Sequence, residues 1–429
     1  MLVLPINRLL EFLASAWAAV SMFMLAVRYR FAPGRSATDK SGGLPLRVLF
    51  VHRDLPFHGG VPRCLLYLAR ACDKQRIDFH LATFSEPSHR MTEAFGELGI
   101  KARCIGDRGY LKPIQNIQRI VKEDRIDVIV GTSFKAYLCS KMAARATGAG
   151  VMFWIHAVRG AVEGRFRRIV MAIVSRHDPL LFVSNAVKEA QLPIGHLGPV
   201  KVIYNGVENI QDHPEYDPYP PQMRQTLGVP LDALTLAFTA EFVGWKDHYT
   251  AIAAMHELAR RGRKAHLMLI GAGELIQKAR DWAQAGPAAE RIHFLGARSD
   301  ARRILGAIDI YIHPSRGEGF GLAAVEAMLA GCPVIAAREG AFKEYIQHGQ
   351  TGLLFNPGDA SDLADAVEKL ADDPQRARQL GQASRKYCSE AFNIDHFADS
   401  ICTYIEKTHP VVASRRENSV ALEKSTCAS

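Results

Sequence analysis

The chain has no CxxC, no Asp-x-Asp, no His/Cys cluster at metal-ligand spacing and no run of basic residues interleaved with aromatics. Each absence removes a class of function. Eight cysteines, at 64, 72, 104, 139, 332, 388, 402 and 427, are spread over 429 residues. They are too thin for a disulfide scaffold and read as thiols of a reducing compartment. Without aromatics among the basic residues no nucleic-acid-binding module is recognisable, so no nucleic-acid partner is expected. No short-period repeat is found. Apolar residues at 48% and charged residues at 23% exclude wholesale disorder and a fibrous protein, and the length suits two to three domains.

What is present is an uneven charge and one long apolar run. Residues 1–200 hold 28 Lys and Arg against 15 Asp and Glu, whereas the remainder hold 25 against 29. A basic first half suits nucleic acid, an anionic membrane face or an acidic substrate. Leu9–Val27 is broken only by the charge of Glu11, and about 20 apolar residues span a bilayer. Arg28, Arg30, Arg35 and Lys40 follow it, while Arg8 alone precedes it. By the positive-inside rule the body of the protein is then cytoplasmic. A secretory leader would carry its charge before the apolar run. Residues 1–30 are expected to form a helix that contacts the cytoplasmic face of the inner membrane, spanning it or lying on it; a helix packed on the protein itself is the alternative. Residues 31–45 read as a linker and 409–429 as a disordered tail.

Between these ends, strand-like runs alternate with helical patterns. The first set is Leu46–His52, Phe79–Phe84, Ile126–Gly131, Val151–His156, Leu180–Ser184 and Val200–Tyr204, with amphipathic stretches such as Val61–Ala71 and Ile114–Glu123 between them. After a proline-rich gap come Leu234–Ala240, Ala265–Ile270, Ile292–Leu295, Ile308–His313 and Pro333–Ala336. This alternation predicts an α/β protein of two doubly wound, Rossmann-like parallel-sheet halves, 46–207 and 231–384, joined by a linker over 208–230. Ligands bind at the carboxyl ends of such strands, so facing halves share a cleft.

The segment His313–Glu326, HPSRGEGFGLAAVE, concentrates the chemistry. A strand ends near His313, Gly317, Gly319 and Gly321 surround Glu318, and a helix follows that carries Glu326. Glycines allow close backbone approach, and a helix N-terminus offers N–H groups to a phosphate. Carboxylates beside such a cradle accept hydrogen bonds from hydroxyls. The combination asks for a ligand with both phosphates and hydroxyls, such as a nucleotide sugar. An exposed turn with a helix-start glutamate favoured by the dipole is the plainer reading.

The Glu318–x7–Glu326 spacing, followed by Ala-Gly331-Cys-Pro333-Val-Ile, resembles the retaining glycosyltransferases of the GT-B fold, the large bacterial group that builds polysaccharide and lipopolysaccharide. Other short motifs agree in order: His58-Gly59-Gly60-Val61, Phe182-Val-Ser-Asn185, Val202-Ile-Tyr-Asn-Gly206, Trp245-Lys246, Leu269-Ile-Gly-Ala-Gly273, Ile292-His-Phe-Leu-Gly296 and Gly349-x2-Gly352. The resemblance covers residues 46–405. It implies an acceptor-binding first half, a donor-binding second half and a helix over 385–408 that crosses back. It further implies that Glu326 binds the donor ribose and that Glu318 sits by the transferred sugar. The backbone of Gly319, Phe320, Gly321 and Leu322 would hold the diphosphate, and Lys246 would neutralise it. Gly59 and Gly60 would approach the donor phosphate or the acceptor from the other half, and Gly271 and Gly273 would belong to the donor site. His156, at a strand end, would face the cleft near the donor sugar; a satisfied structural histidine is the alternative. Such enzymes need no metal or other cofactor, because lysine and backbone dipoles carry the charge.

One position departs from the family. Glu241 stands five residues before Lys246, where an arginine is usual. A carboxylate about 4 Å from a phosphate costs roughly 4 kcal/mol at an effective dielectric of 20. Glu241 is therefore expected to point elsewhere, pair with a cation or bind a hydroxyl, with Arg316 or Lys343 replacing the lost charge. Trp245 reads as a packing or anchoring residue. The basic stretch Arg159–Arg176 suits anionic lipid or a solvated helix face. The resemblance implies front-face substitution at the sugar carbon, onto a glycan or lipid-linked acceptor at an anionic membrane surface. The rivals are a non-catalytic scaffold on the same fold and a different enzyme, such as an epimerase or phosphorylase.

Overall fold

The computed structural model describes residues 44–57, 59–158, 165–209 and 221–409. The expected membrane-contacting helix, most of the 31–45 linker, His58, part of the basic stretch, residues 210–220 of the 208–230 linker and the tail beyond His409 lie outside the described residues, and the described end of that linker holds a short helix, Pro221–Thr226.

The first sheet comprises β1 (Leu46–His52), β2 (Ile77–Thr83), β3 (Ala102–Cys104), β4 (Val128–Gly131), β5 (Gly150–Ile155), β6 (Leu180–Phe182) and β7 (Val200–Val202). The second comprises β8 (Leu234–Thr239), β9 (Ala265–Ile270), β10 (Ile292–Gly296), β11 (Ile310–His313), β12 (Val334–Ala337) and β13 (Leu353–Phe355). Pairing is parallel throughout, in the orders β3-β2-β1-β4-β5-β6-β7 and β10-β9-β8-β11-β12-β13. The two orders are the same pattern used twice. In each, the winding direction reverses between the first and fourth strands, β1/β4 and β8/β11, and a crevice opens there at the carboxyl edge.

The central strands have covered faces, which is why they read as unbroken apolar runs. Six of the seven residues of β1 and all four of β4 and of β11 are buried. Serines start helices where the chain turns back. Ser133 Oγ accepts from the Ala136 N–H at 3.3 Å, and Ser184 Oγ from the Val187 N–H at 3.2 Å. The three-residue edge strands β3 and β13 go beyond the expected runs, and β6 and β7 are shorter than expected.

The halves are joined by packing. The expected 385–408 crossover is made by two helices, Pro374–Ala391 and Ile394–Thr408, which meet at Phe392–Asn393. There Phe392 packs edge-on against Phe320 and Tyr345, with centroids 5.1 and 5.3 Å away. The Val207 N–H donates to the Phe392 carbonyl at 3.0 Å. A Cβ on Gly206 would lie 2.7 Å from Phe397, so the returning helix rests directly on backbone. Arg76 then fixes that helix to the first half through Glu406 at 2.7 Å and Asp399 at 2.5 Å.

Candidate active site

At the switch point of the second sheet, the chain leaving β8 carries Lys246 and the chain leaving β11 carries Glu318. Lys246 Nζ donates to Glu318 Oε2 at 2.5 Å and lies 4.0 Å from the Trp245 ring centroid. His313, the last residue of β11, has Nε2 3.3 Å from the same carboxylate oxygen. Burial alone would raise the Glu318 carboxyl. The Lys246 charge and the His313 hydrogen bond outweigh it and hold the group down at about 2. Burial also lowers His313 and takes His248, just beyond Lys246, down to about 3.

Past Glu318 the chain makes a tight bend onto the helix Leu322–Leu329. Gly321 holds φ +84°, a left-handed conformation that suits glycine. The backbone N–H groups of Gly319, Phe320, Gly321 and Leu322 have no hydrogen-bond partner among the described residues. They form a ready anion cradle beside a lysine.

The first half faces this cradle. A Cβ on Gly319 would lie 2.1 Å from the His156 carbonyl oxygen, so the two backbones touch. Gly60 opens the helix Gly60–Ala71, and its missing Cβ would sit 3.8 Å from the Leu322 side chain. Two helix N-termini thus converge across the cleft. Behind His156, His52 Nδ1 lies 2.6 Å from Thr132 Oγ1, where β1 and β4 diverge. His156 Nε2 is buried without a hydrogen-bond partner, and its ring leans on Trp154 at 4.5 Å. Burial, then the neighbouring charge, lowers both histidines, His52 to about 4 and His156 well below the usual range.

One turn deeper, both halves line a cavity of about 210 Å³. Glu326 is buried there and accepts from Tyr67 Oη at 3.0 Å and from Arg302 at 3.2 Å, and it pairs with Arg63. Glu208 pairs with Arg70 at 2.7 Å and Arg302 at 3.3 Å. No group of three or more His, Cys, Asp and Glu among the described residues is placed to hold a metal ion.

The sequence model of the family described as "Glycosyltransferase Family 4" matches residues 58–209, and that of "Glycosyl transferases group 1" matches residues 221–387. The two matches tile both halves in the order of the fold. The chain belongs to the group 1 glycosyltransferases. A D-inositol 3-phosphate glycosyltransferase of Corynebacterium diphtheriae is 30% identical over 176 residues, 39% of this chain and 41% of that protein. The chain thus matches less than half the length of that relative. A GDP-mannose-dependent α-(1-6)-phosphatidylinositol monomannoside mannosyltransferase of Mycobacterium tuberculosis is 25% identical over 84% of this chain and 98% of its own. Among solved structures, Anabaena HepE in complex with UDP-glucose superposes with a TM-score of 0.75 at 21% identity, covering 84% of this chain and all of that one. That likeness carries the GT-B fold.

Within this group 1 chain, the structure brings together Lys246, Glu318, Gly319, Gly321, Leu322, Gly60 and His156, with Glu326 one turn behind. Other expected residues lie elsewhere. The Phe320 side chain is buried among Phe392, Tyr345 and Tyr204, and its carbonyl accepts from Tyr345 Oη at 2.6 Å, so only its N–H faces the cradle. Arg316 turns to Asp247, the cap of the helix His248–Arg260, at 2.8 Å. Lys343 is exposed. Gly271 and Gly273 back the Lys246 loop, since side chains there would strike the backbone of Ala240 and Phe242. Gly59 packs between Pro56 and Pro62. Glu241 is exposed and has no ion-pair partner among the described residues. Trp245, expected as packing, is 38% exposed beside Lys246.

Sequence reasoning missed Arg63, Tyr67, Arg302, His52 and Thr132. Arg63 and Tyr67 had a signal, being one helical turn apart immediately after the Gly59-Gly60 pair. Arg302 and Thr132 had none, because only the fold brings them to the cleft.

Proposed function

We propose that this protein is a retaining glycosyltransferase that moves a sugar from a nucleoside-diphosphate donor to a glycan or lipid-linked acceptor in the assembly of cell-surface polysaccharide or lipopolysaccharide. The observation that carries this reading is the Lys246–Glu318 pair at 2.5 Å beside four unpartnered backbone N–H groups, faced by Gly60 and His156 from the other half. A diphosphate seats on the Gly319–Leu322 amides with Lys246 beside it, which places the transferred sugar between Glu318 and His156. Glu326 lies one turn farther on, at the ribose. As the bond from sugar carbon to phosphate oxygen breaks, the leaving oxygen gathers charge that the amides and Lys246 stabilise. The acceptor hydroxyl attacks from the same face, its proton passes to the leaving phosphate, and the new glycosidic bond keeps the donor's configuration. This chemistry calls for no metal or other cofactor.

A membrane-surface acceptor is supported by the first half. Residues 165–177 hold four arginines and no acid. Ile169 and Ile173 are exposed one turn apart on the helix Arg165–Val174. Ile194, 91% exposed, and Leu197, whose N–H donates to the Arg176 carbonyl at 2.7 Å, are further exposed apolar residues of this half. Such a surface suits the anionic cytoplasmic face of the inner membrane. The mycobacterial relative, by its name, acts on a phosphatidylinositol lipid.

Two measurements test the reading. UDP-, GDP- and ADP-sugars are screened by thermal shift and by slow release of nucleoside diphosphate, with Glu326→Ala as control. One donor should stabilise the wild type selectively, and no response from any donor in folded protein would sink the assignment. Co-sedimentation with anionic vesicles, comparing the full chain with a protein beginning at Leu46, tests the membrane role of residues 1–45. Equal behaviour removes that role.

A further inference from the structure

The cleft contains a cation that the donor reading does not yet use. Lys246 is already balanced by Glu318, Arg316 is committed to Asp247, and the exposed Glu241 on the same loop adds a negative charge. A donor diphosphate would meet few uncommitted charges on this side of the cleft. Arg63 reaches the site from the opposite half. It lies three residues into the helix that Gly60 opens, and Glu326 lies four residues into the helix that Leu322 opens. Because Gly60 faces Leu322, the Arg63–Glu326 pair sits one turn, about 5.4 Å, behind the point where the two N-termini converge. That distance is within the sweep of an arginine side chain.

The pair is also crowded. Arg63, Arg302 and Tyr67 all converge on Glu326 Oε1. Burial pulls Arg63 down to about 10, and burial with the Arg63 charge pulls Arg302 to about 9. A ribose hydroxyl donating to the Glu326 carboxylate draws on the same negative charge and weakens its hold on these donors. Arg302 would keep Glu208 at 3.3 Å, whereas Arg63 has no second ion-pair partner among the described residues. Arg63 would keep the Tyr67 hydroxyl at 3.5 Å and the attraction of Glu208, but a buried guanidinium without a contacting carboxylate is costly, and the diphosphate that entered with the ribose would be a new anion in reach.

We propose that Arg63 is the donor-diphosphate cation of this enzyme, held by Glu326 in the empty cleft and handed to the diphosphate when the ribose takes Glu326. It supplies from the first half a charge that the second half, with Lys246 and Arg316 already paired, does not. The proposal rests on the nucleotide-sugar reading above and deepens it. It makes donor recognition depend on closure, because the ribose carboxylate and the phosphate cation belong to different halves.

The test compares nucleosides with nucleoside diphosphates. UDP, GDP and ADP, with uridine, guanosine and adenosine, are titrated calorimetrically against the full-length wild type, Arg63→Gln and Arg63→Lys. In Arg63→Gln, affinity for the preferred diphosphate should fall about 10- to 100-fold, as expected for one charge-assisted hydrogen-bonded contact. Affinity for the matching nucleoside should hold or rise. Arg63→Lys, which keeps the charge, should recover part of the loss, and adding Glu241→Arg to Arg63→Gln should recover more. Unchanged or tighter diphosphate binding in Arg63→Gln would reduce Arg63 to a latch on Glu326. Equal losses for nucleoside and diphosphate would make its role structural. Either result overturns the proposal while leaving the donor reading intact. A wild type that binds no diphosphate at all would overturn both. If Arg63→Gln does not fold, Arg63→Lys alone decides, by whether it weakens diphosphate more than nucleoside.

Discussion

At the carboxyl edge of the second sheet, charge is paired. Lys246 meets Glu318 and His313, and Arg316 meets Asp247. At the matching edge of the first sheet the buried polar groups carry no charge, and the charged Arg53 and Asp54 lie outside them. His52 shares a hydrogen bond with Thr132, while His156 Nε2 and Trp154 Nε1 are buried and unpartnered. The strand order is the same in both halves, so topology did not impose the difference. A charged edge can bind and stabilise a departing diphosphate. A neutral edge with an unpartnered imidazole nitrogen suits sugar hydroxyls, which carry no charge to balance. The fold supplies two crevices, and under the proposed function the side chains at each switch point would divide the labour.

The strongest way to break this comparison is to neutralise the charged edge. Lys246→Ala should lower kcat/KM by about 10²–10³-fold, the usual cost of removing one electrostatic contact to a transition state. It should also destabilise the fold by about 3 kcal/mol or more, because Glu318 is left buried with only His313. The double variant Lys246→Met/Glu318→Gln should regain most of that stability and none of the activity. Urea unfolding beside steady-state kinetics separates the two effects. Full activity in folded Lys246→Ala would remove the second edge from the chemistry.

The contact between the edges comes next. At Gly319 a methyl group would lie 2.1 Å from the His156 carbonyl, and the halves must part to admit it. Gly319→Ala should cost about 10–10²-fold in kcat/KM through misplacement of the facing groups. Gly60→Ala, with its nearest neighbour at 3.8 Å, should cost far less. Equal effects would show that Gly319 does not set the distance between the halves.

Much of this architecture is legible in the amino-acid sequence. The central strands can be read because burial on both faces leaves long apolar runs, as in Leu46–His52 and Ala265–Ile270, which match their expected bounds. Ala102–Cys104 is not legible: three residues with an arginine in the middle carry no period. In the site, the glycine cradle and its two glutamates can be found because their chemistry is local in sequence. Arg302 cannot, since its partners Tyr67 and Glu326 lie 235 and 24 residues away. Phe320 shows the opposite failure: its place in the cradle is readable, but its ring serves the joint between the halves.

The neutral edge has its own signature in pH. His52 titrates near 4 in the folded protein against 6.5 when free. Below pH 6.5 the unfolded chain takes up its proton first, so stability falls by about 1.4 kcal/mol per pH unit until about pH 4. His156, His248 and His313 are lowered as well and add to the loss. Glu318 behaves differently. Its contribution is complete above 4.5, the free value, and disappears only as pH falls toward about 2. Denaturation series at pH 7, 6 and 5 should therefore show a steep decline, shallower in His52→Gln. An unchanged slope in that variant would place a charged His52 in the folded edge.

The smallest effect belongs to Glu241, the residue at which the sequence resemblance leads one to expect an arginine. Glu241 is exposed, has no ion-pair partner among the described residues and belongs to neither the cradle nor the Glu326 cluster. Glu241→Ala should change stability by less than about 0.5 kcal/mol, as for surface substitutions generally. If the second edge acts through Lys246 and the backbone amides alone, kcat/KM should stay within about twofold, since an exposed carboxylate is screened within about 10 Å at ordinary salt. A larger fall on removing the carboxylate would mean that Glu241 orients Lys246 or binds a hydroxyl of donor or acceptor. A rise would mean that its charge repels the diphosphate even from the surface, and that the paired edge is held below the donor affinity its fold allows.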